Sequence, residues 1–144
     1  MMRPSFPPVT VPVSVRFRDL DAYGHVNNAV FFTYLEEARI KLIEDHFRVQ
    51  MDEETVFVVG HAACSYKRPI DLGVELQVTM SVREMRRASF IVDYVVTDSD
   101  GTTYAIAETT LVAYDPVSRR ATSLPDWLDD SLKRAAERWT SPSD

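Results

Sequence analysis

Between Asp19 and Asn28 the chain reads Asp-Leu-Asp-Ala-Tyr-Gly-His-Val-Asn-Asn. One short turn thus gathers a carboxylate at Asp21, an imidazole at His25 and carboxamides at Asn27 and Asn28, with Gly24 for flexibility. A carboxylate in that setting can serve as a general base toward water or as a nucleophile toward a carbonyl carbon. Its bland reading is a turn-forming Asp bonded to backbone amides two residues on. For His25 the two readings are a loop imidazole bonded to a nearby carbonyl, or a group that orients Asp21 or donates to a substrate carbonyl. Asn is a strong helix N-cap, so a helix is expected to start near Asn27 or Asn28. A helix start offers unpaired N–H groups and the positive end of a dipole, which suit an anion or a polarised carbonyl. Losing one such donor from an oxyanion site typically costs ~10²–10³-fold in rate. The combination points to hydrolytic acyl chemistry.

The flanking elements must hold this turn. Val13, Val15 and Phe17 alternate before it, which predicts a strand over Val11–Arg18. After it, Phe31, Tyr34, Leu35, Ala38, Leu42 and Ile43 recur at steps of three and four, with Glu36, Glu37, Lys41 and Glu44 opposite. One long, half-buried helix to about His46 follows. From there the period is two. Strands are expected over Thr55–Tyr66, Val74–Arg83, Phe90–Thr97 and Thr102–Tyr114, with an Asp98–Gly101 turn joining the last pair. Pro125, early acids and later bases predict a terminal helix. The fold class is therefore α+β: a curved antiparallel five-stranded sheet wrapped around one long helix, plus a C-terminal helix. Residues 1–10 read as a flexible lead-in, 11–116 as the domain and 117–144 as a C-terminal extension. Such a sheet leaves long edges, which favours a homo-oligomer through edge pairing or face packing.

Composition narrows the function classes. The chain has 144 residues, 45% apolar and 26% charged, as in an ordinary soluble globular protein. The net charge of −6 argues against a nucleic-acid partner. There is no run long enough to span a membrane and no signal-peptide core at the N-terminus. The single cysteine, Cys64, excludes an internal disulfide, fits a cytoplasmic location and reads as an inert buried thiol. No Gly-x-Ser-x-Gly elbow, phosphate-binding Gly-rich loop or metal-ligand spacing of His and Cys is present. His46 and His61 read as structural. Two basic turns, Lys67-Arg68-Pro69 and Arg86-Arg87-Ala88-Ser89, are either solvated surface or docking points for phosphates.

Taken together, Val15-Arg16-Phe17-Arg18-Asp19-Leu20-Asp21, Gly24-His25-Val26-Asn27-Asn28 and Phe31, Tyr34, Glu36, Ala38, Arg39 closely resemble the hotdog-fold acyl-CoA thioesterases, nearest the 4-hydroxybenzoyl-CoA thioesterase family. A Tyr-x-x-Pro turn at Tyr66–Pro69 adds to the resemblance, which spans roughly Val11 to Tyr114. It implies an enzyme that hydrolyses an acyl thioester to a free acid and coenzyme A. Asp21 would be the catalytic carboxylate, the amide at Asn28 would polarise the carbonyl, and His25 would orient the site. Phe31, Phe32 and Tyr66 become candidates to line the acyl pocket, with Tyr23 a further substrate contact. Lys67, Arg68, Arg86, Arg87 and Ser89 become candidates for coenzyme A. No cofactor or metal is expected beyond the coenzyme A of the substrate, and the resemblance implies a homodimer or homotetramer with active sites at the dimer interface. Phe31 stands where the family commonly has Tyr, and Tyr23 where plant acyl-carrier-protein thioesterases carry Asn. The rival expectation is a hotdog module that binds acyl-CoA without turnover; a hydratase on the same fold is a weaker third.

Overall fold

A computed structural model describes residues 8–42 and 56–128. Its elements run β1 (Val9–Ser14), a 3-10 turn (Phe17–Asp19), α1 (Val30–Leu42), β2 (Val56–Tyr66), β3 (Glu75–Met85), β4 (Ser89–Asp98), β5 (Thr103–Asp115) and β6 (Arg120–Ala121). The strands form one antiparallel sheet in the order β1-β3-β4-β5-β2, with the two-residue β6 paired to β5. The sheet thus has six strands; the five expected ones are joined by a short return that no periodicity announces. A helix opens at Asp126 after Pro125, and its described part ends at Leu128. The expected helix residues from Ile43 to His46 lie outside the described residues.

Period-two burial is clearest in β3, where Leu76, Val78, Met80 and Val82 are buried while Gln77, Thr79 and Ser81 are only partly covered. Val11 and Val13 of β1 and Val92, Tyr94 and Val96 of β4 continue that inner face. α1 packs its Phe31, Tyr34, Leu35, Ala38 and Leu42 stripe into the same core. At the far end Phe57 meets Phe90 and Trp127 edge-on, with ring centroids 5.6 and 6.3 Å away.

One departure from the expected elements and one feature of β2 bear on the site. The first strand stops at Ser14, because the Asp19 carboxylate accepts the Arg16 N–H at 2.9 Å and winds Phe17–Asp19 into a 3-10 turn. Phe17 is consequently exposed and does not join the inner face. β2 is the expected strand, at Val56–Tyr66. Its apolar run Val56–Val59 resembles a core strand, yet Val56, Val58, Val59 and Tyr66 are all exposed. Among the described residues β2 is an edge strand that pairs only with β5, and its ladder slips register between Val59 and His61. Gly60 occupies that slip, where a β-carbon would meet Val112 Cγ2 at 3.0 Å.

Candidate active site

The Asp21 turn is a closed loop. The Asp21 N–H donates to the His25 carbonyl at 2.8 Å, and the Gly24 N–H donates to the Asp21 carbonyl at 3.0 Å. Gly24 has φ +83°, a backbone region that a side chain disfavours. The Asp21 carboxylate accepts the Tyr23 N–H at 2.9 Å and is otherwise open to solvent. It therefore makes the local turn bond of the bland reading while keeping lone pairs for chemistry.

The loop is fastened on both flanks. Leu20 and Val26 form a β-bridge, and the Val26 N–H donates to the Ile70 carbonyl at 2.9 Å. His25 bridges to Asp71, and its Nδ1 lies 2.8 Å from the Asp71 carboxylate. That contact leaves Nε2 as the ring nitrogen for any further partner. The Asn27 N–H donates to the Asp19 carbonyl at 2.9 Å.

At the helix start Asn27 behaves as the cap. Its side-chain oxygen accepts the Ala29 N–H at 2.9 Å and its carbonyl accepts the Val30 N–H at 2.9 Å. The Asn28 carbonyl accepts the Tyr66 hydroxyl at 2.9 Å, which ties the end of β2 to the start of α1. The Asn28 N–H has no acceptor among the described residues. One backbone donor is thus left over beside the Asp21 turn, at the positive end of α1.

The aromatic candidates divide. Phe31 is buried and lies under Tyr66, with centroids 4.9 Å apart and rings at 89°. Tyr23, Phe32 and Tyr66 are exposed around the helix start. Cys64, on the inner face of β2, is half-buried and not fully enclosed; burial pushes its thiol up, against a smaller opposing effect of Tyr66.

The basic candidates divide as well. The Lys67 and Arg68 N–H groups both donate to the Tyr104 carbonyl, so their turn sits at the Tyr66 end of the sheet with Asp21. Arg86, Arg87 and Ser89 occupy the β3–β4 turn at the opposite end, closed by the Arg86 N–H on the Ser89 carbonyl at 2.8 Å. The eleven-residue β3 separates the two ends by roughly 30 Å. Arg87 is exposed, and the Arg86 guanidinium reaches Glu84 at 3.0 Å. His61 is exposed on β2, and His46 lies outside the described residues.

Two acids with no assigned role in the sequence now matter. Asp19 is buried and bonded to Tyr34 and Arg16, and Asp71 holds His25. Asp71 is defined by a partner on another element, and of the Asp19 contacts only that to Arg16, three residues away, is local. Among the described residues no three His, Cys, Asp or Glu side chains converge as a metal-ligand group, and no helix is long and apolar enough to cross a membrane.

Comparisons with known proteins agree with this fold. The sequence profile of the thioesterase-like superfamily matches residues 15–132. The long-chain acyl-CoA thioesterase FadM of Escherichia coli (strain K12) is 33% identical over 125 residues, covering 85% of this chain and 95% of the relative. The acyl-CoA thioester hydrolase YbgC of Escherichia coli O6:H1 is 29% identical over 126 residues, covering 85% and 94%. The fold also matches a thioesterase from Thermus thermophilus solved with coenzyme A and Zn, at a TM-score of 0.77 and 35% identity, over 93% of this chain and 98% of that one. The chain belongs to the hotdog-fold acyl-CoA thioesterases of the thioesterase-like superfamily.

Proposed function

We propose that Asp21 and the Asn28 N–H carry the reaction that makes this chain an acyl-CoA thioesterase. The Asn28 N–H donates to the thioester oxygen and stabilises the charge that grows there during attack. Asp21 supplies the base that takes a proton from water, or itself attacks the carbonyl carbon; water then completes hydrolysis of the resulting anhydride. Either route breaks the carbon–sulfur bond and releases a free acid and coenzyme A. His25, fixed through Nδ1 by Asp71, orients the turn and offers Nε2 to water or substrate. The observation that carries this reading is an Asn28 N–H with no acceptor among the described residues, at the helix start that follows the turn holding the open Asp21 carboxylate.

The site is completed by a second copy of the chain. β2 presents an exposed apolar strand with one edge unpaired among the described residues, and a two-fold axis there would join two sheets antiparallel. That operation brings the partner's β3–β4 turn to the Asp21 end, so Arg86, Arg87 and Ser89 of one protomer receive the phosphates of the coenzyme A whose thioester lies at the other's Asp21. Lys67 and Arg68 add positive charge from the Asp21 side. Tyr23, Phe32 and Tyr66 border the acyl chain, with Phe31 supporting Tyr66 from beneath. Coenzyme A enters only as part of the substrate.

The test is thiol release from short-chain, long-chain and aromatic acyl-CoAs by the full chain. Sustained release from at least one class is expected. Tight binding of acyl-CoAs with no release from any class would instead make this a binding module.

A further inference from the structure

Asp21 and the Asn28 N–H stand on different segments, a loop and a helix start, and the proposed chemistry needs them in fixed register. Asp19 is bonded to both sides. Its Oδ2 accepts the Tyr34 hydroxyl at 2.7 Å, the Arg16 N–H at 2.9 Å and the Arg16 Nε–H at 3.4 Å. Its carbonyl accepts the Asn27 N–H at 2.9 Å. Arg16 continues the chain of contacts to Glu37, one turn further along α1, at 2.9 Å. Tyr34 is completely buried and Asp19 is 5% exposed.

An ionised carboxylate out of water is costly, and an apolar group of similar size would fill the same space with no such cost. What the carboxylate adds is direction: three donors from two segments converge on one oxygen. It stands two residues before Asp21, and Tyr34 stands six residues after Asn28. A rigid bond between those points sets how far the loop stands from the helix start.

We infer that Asp19 is a positioning residue for thioester hydrolysis, with the Tyr34 hydroxyl as its lock on α1, and that the pair holds the Asp21 carboxylate at a working distance from the Asn28 N–H. This rests on the roles proposed for Asp21 and Asn28. Misplacement by about 1 Å can cost ~10²-fold in an oriented reaction, so loosening the pair should register in turnover before it registers in binding.

The experiment uses Tyr34→Phe and Asp19→Asn, each alone and combined with Asp21→Asn, measured on the best acyl-CoA substrate well below the melting temperature. Tyr34→Phe keeps the buried ring and leaves the Arg16–Asp19 contacts, so it carries the test if Asp19→Asn does not fold. Each single variant should lower kcat by ~10-fold or more, with KM changed by less than about two-fold. In the Asp21→Asn background the same substitution should add less than about a two-fold loss, because the group being positioned is already gone. A lowered melting temperature with unchanged kcat would reduce the pair to a structural role. Losses that multiply in the Asp21→Asn background would mean that the pair acts independently of Asp21. Either result overturns the inference. Wild-type turnover by Asp21→Asn alone would instead remove the functional reading on which it rests.

Discussion

Asp19 and Asp21 are two residues apart and sit in different media. The Asp21 carboxylate is exposed and accepts one local bond, whereas that of Asp19 is buried among three donors. Burial by itself would raise the Asp19 carboxyl; the Arg16 N–H, the Tyr34 hydroxyl and the Arg16 guanidinium outweigh it and hold the group below the ordinary carboxylate range. Glu37 is the other charge on this network, through Arg16. A carboxyl whose folded value is depressed stabilises the fold above its unfolded value, near ~4, and loses that contribution as pH falls through the folded value. Wild-type melting temperature should therefore drop between pH 6 and pH 3 more steeply than that of Asp19→Asn. Asp98, Asp115 and Glu84 are also held low but are common to both proteins, so the difference isolates Asp19. Parallel curves would assign the acid limb to those surface groups.

At the scale of elements, the Phe31–Leu42 stripe of α1 and the alternation of β3 were legible because burial of one face imprints a period of 3.6 or 2 on the residues themselves. The Asp21 turn and the Asn27 cap were legible because their bonds are local. Val15 to Phe17 alternate equally well, yet a carboxylate at Asp19 captures the Arg16 N–H and ends the strand early. Tyr66 on Asn28 and Asp71 on His25 join residues 38 and 46 positions apart, and such pairs leave no periodic trace. The strand of β2 was legible but its exposure was not, because a strand covered by its own core and one left for another copy carry the same apolar residues. If β2 is that second kind, Val58→Lys/Val59→Lys should cost the protomer little, since both positions are exposed. Sedimentation should then show half the wild-type mass, with thiol release lost alongside. An unchanged mass would move the interface away from the β2 edge.

For the whole molecule, the separation of Asp21 from Arg86 and Arg87 within one sheet is the constraint that matters most. A single protomer holds the exposed Asp21 carboxylate at one end and the Arg86–Arg87 turn at the other, and in the proposed site a second copy brings the two together. Each lost Arg–phosphate contact is worth about 1.5–3 kcal/mol, so Arg86→Ala/Arg87→Ala should lower kcat/KM by well over ~10²-fold. The decisive measurement mixes that variant with Asp21→Asn, unfolds and refolds the two at equal amounts, and records thiol release at low acyl-CoA concentration. Half of randomly paired dimers then carry one intact Asp21 opposite one intact Arg86 and Arg87, in one of two sites. Two proteins that are nearly inactive alone should recover about a quarter of wild-type activity together. No recovery on mixing, or near-normal turnover by Asp21→Asn alone, would contradict a site built from Asp21 of one copy and the basic turn of the other.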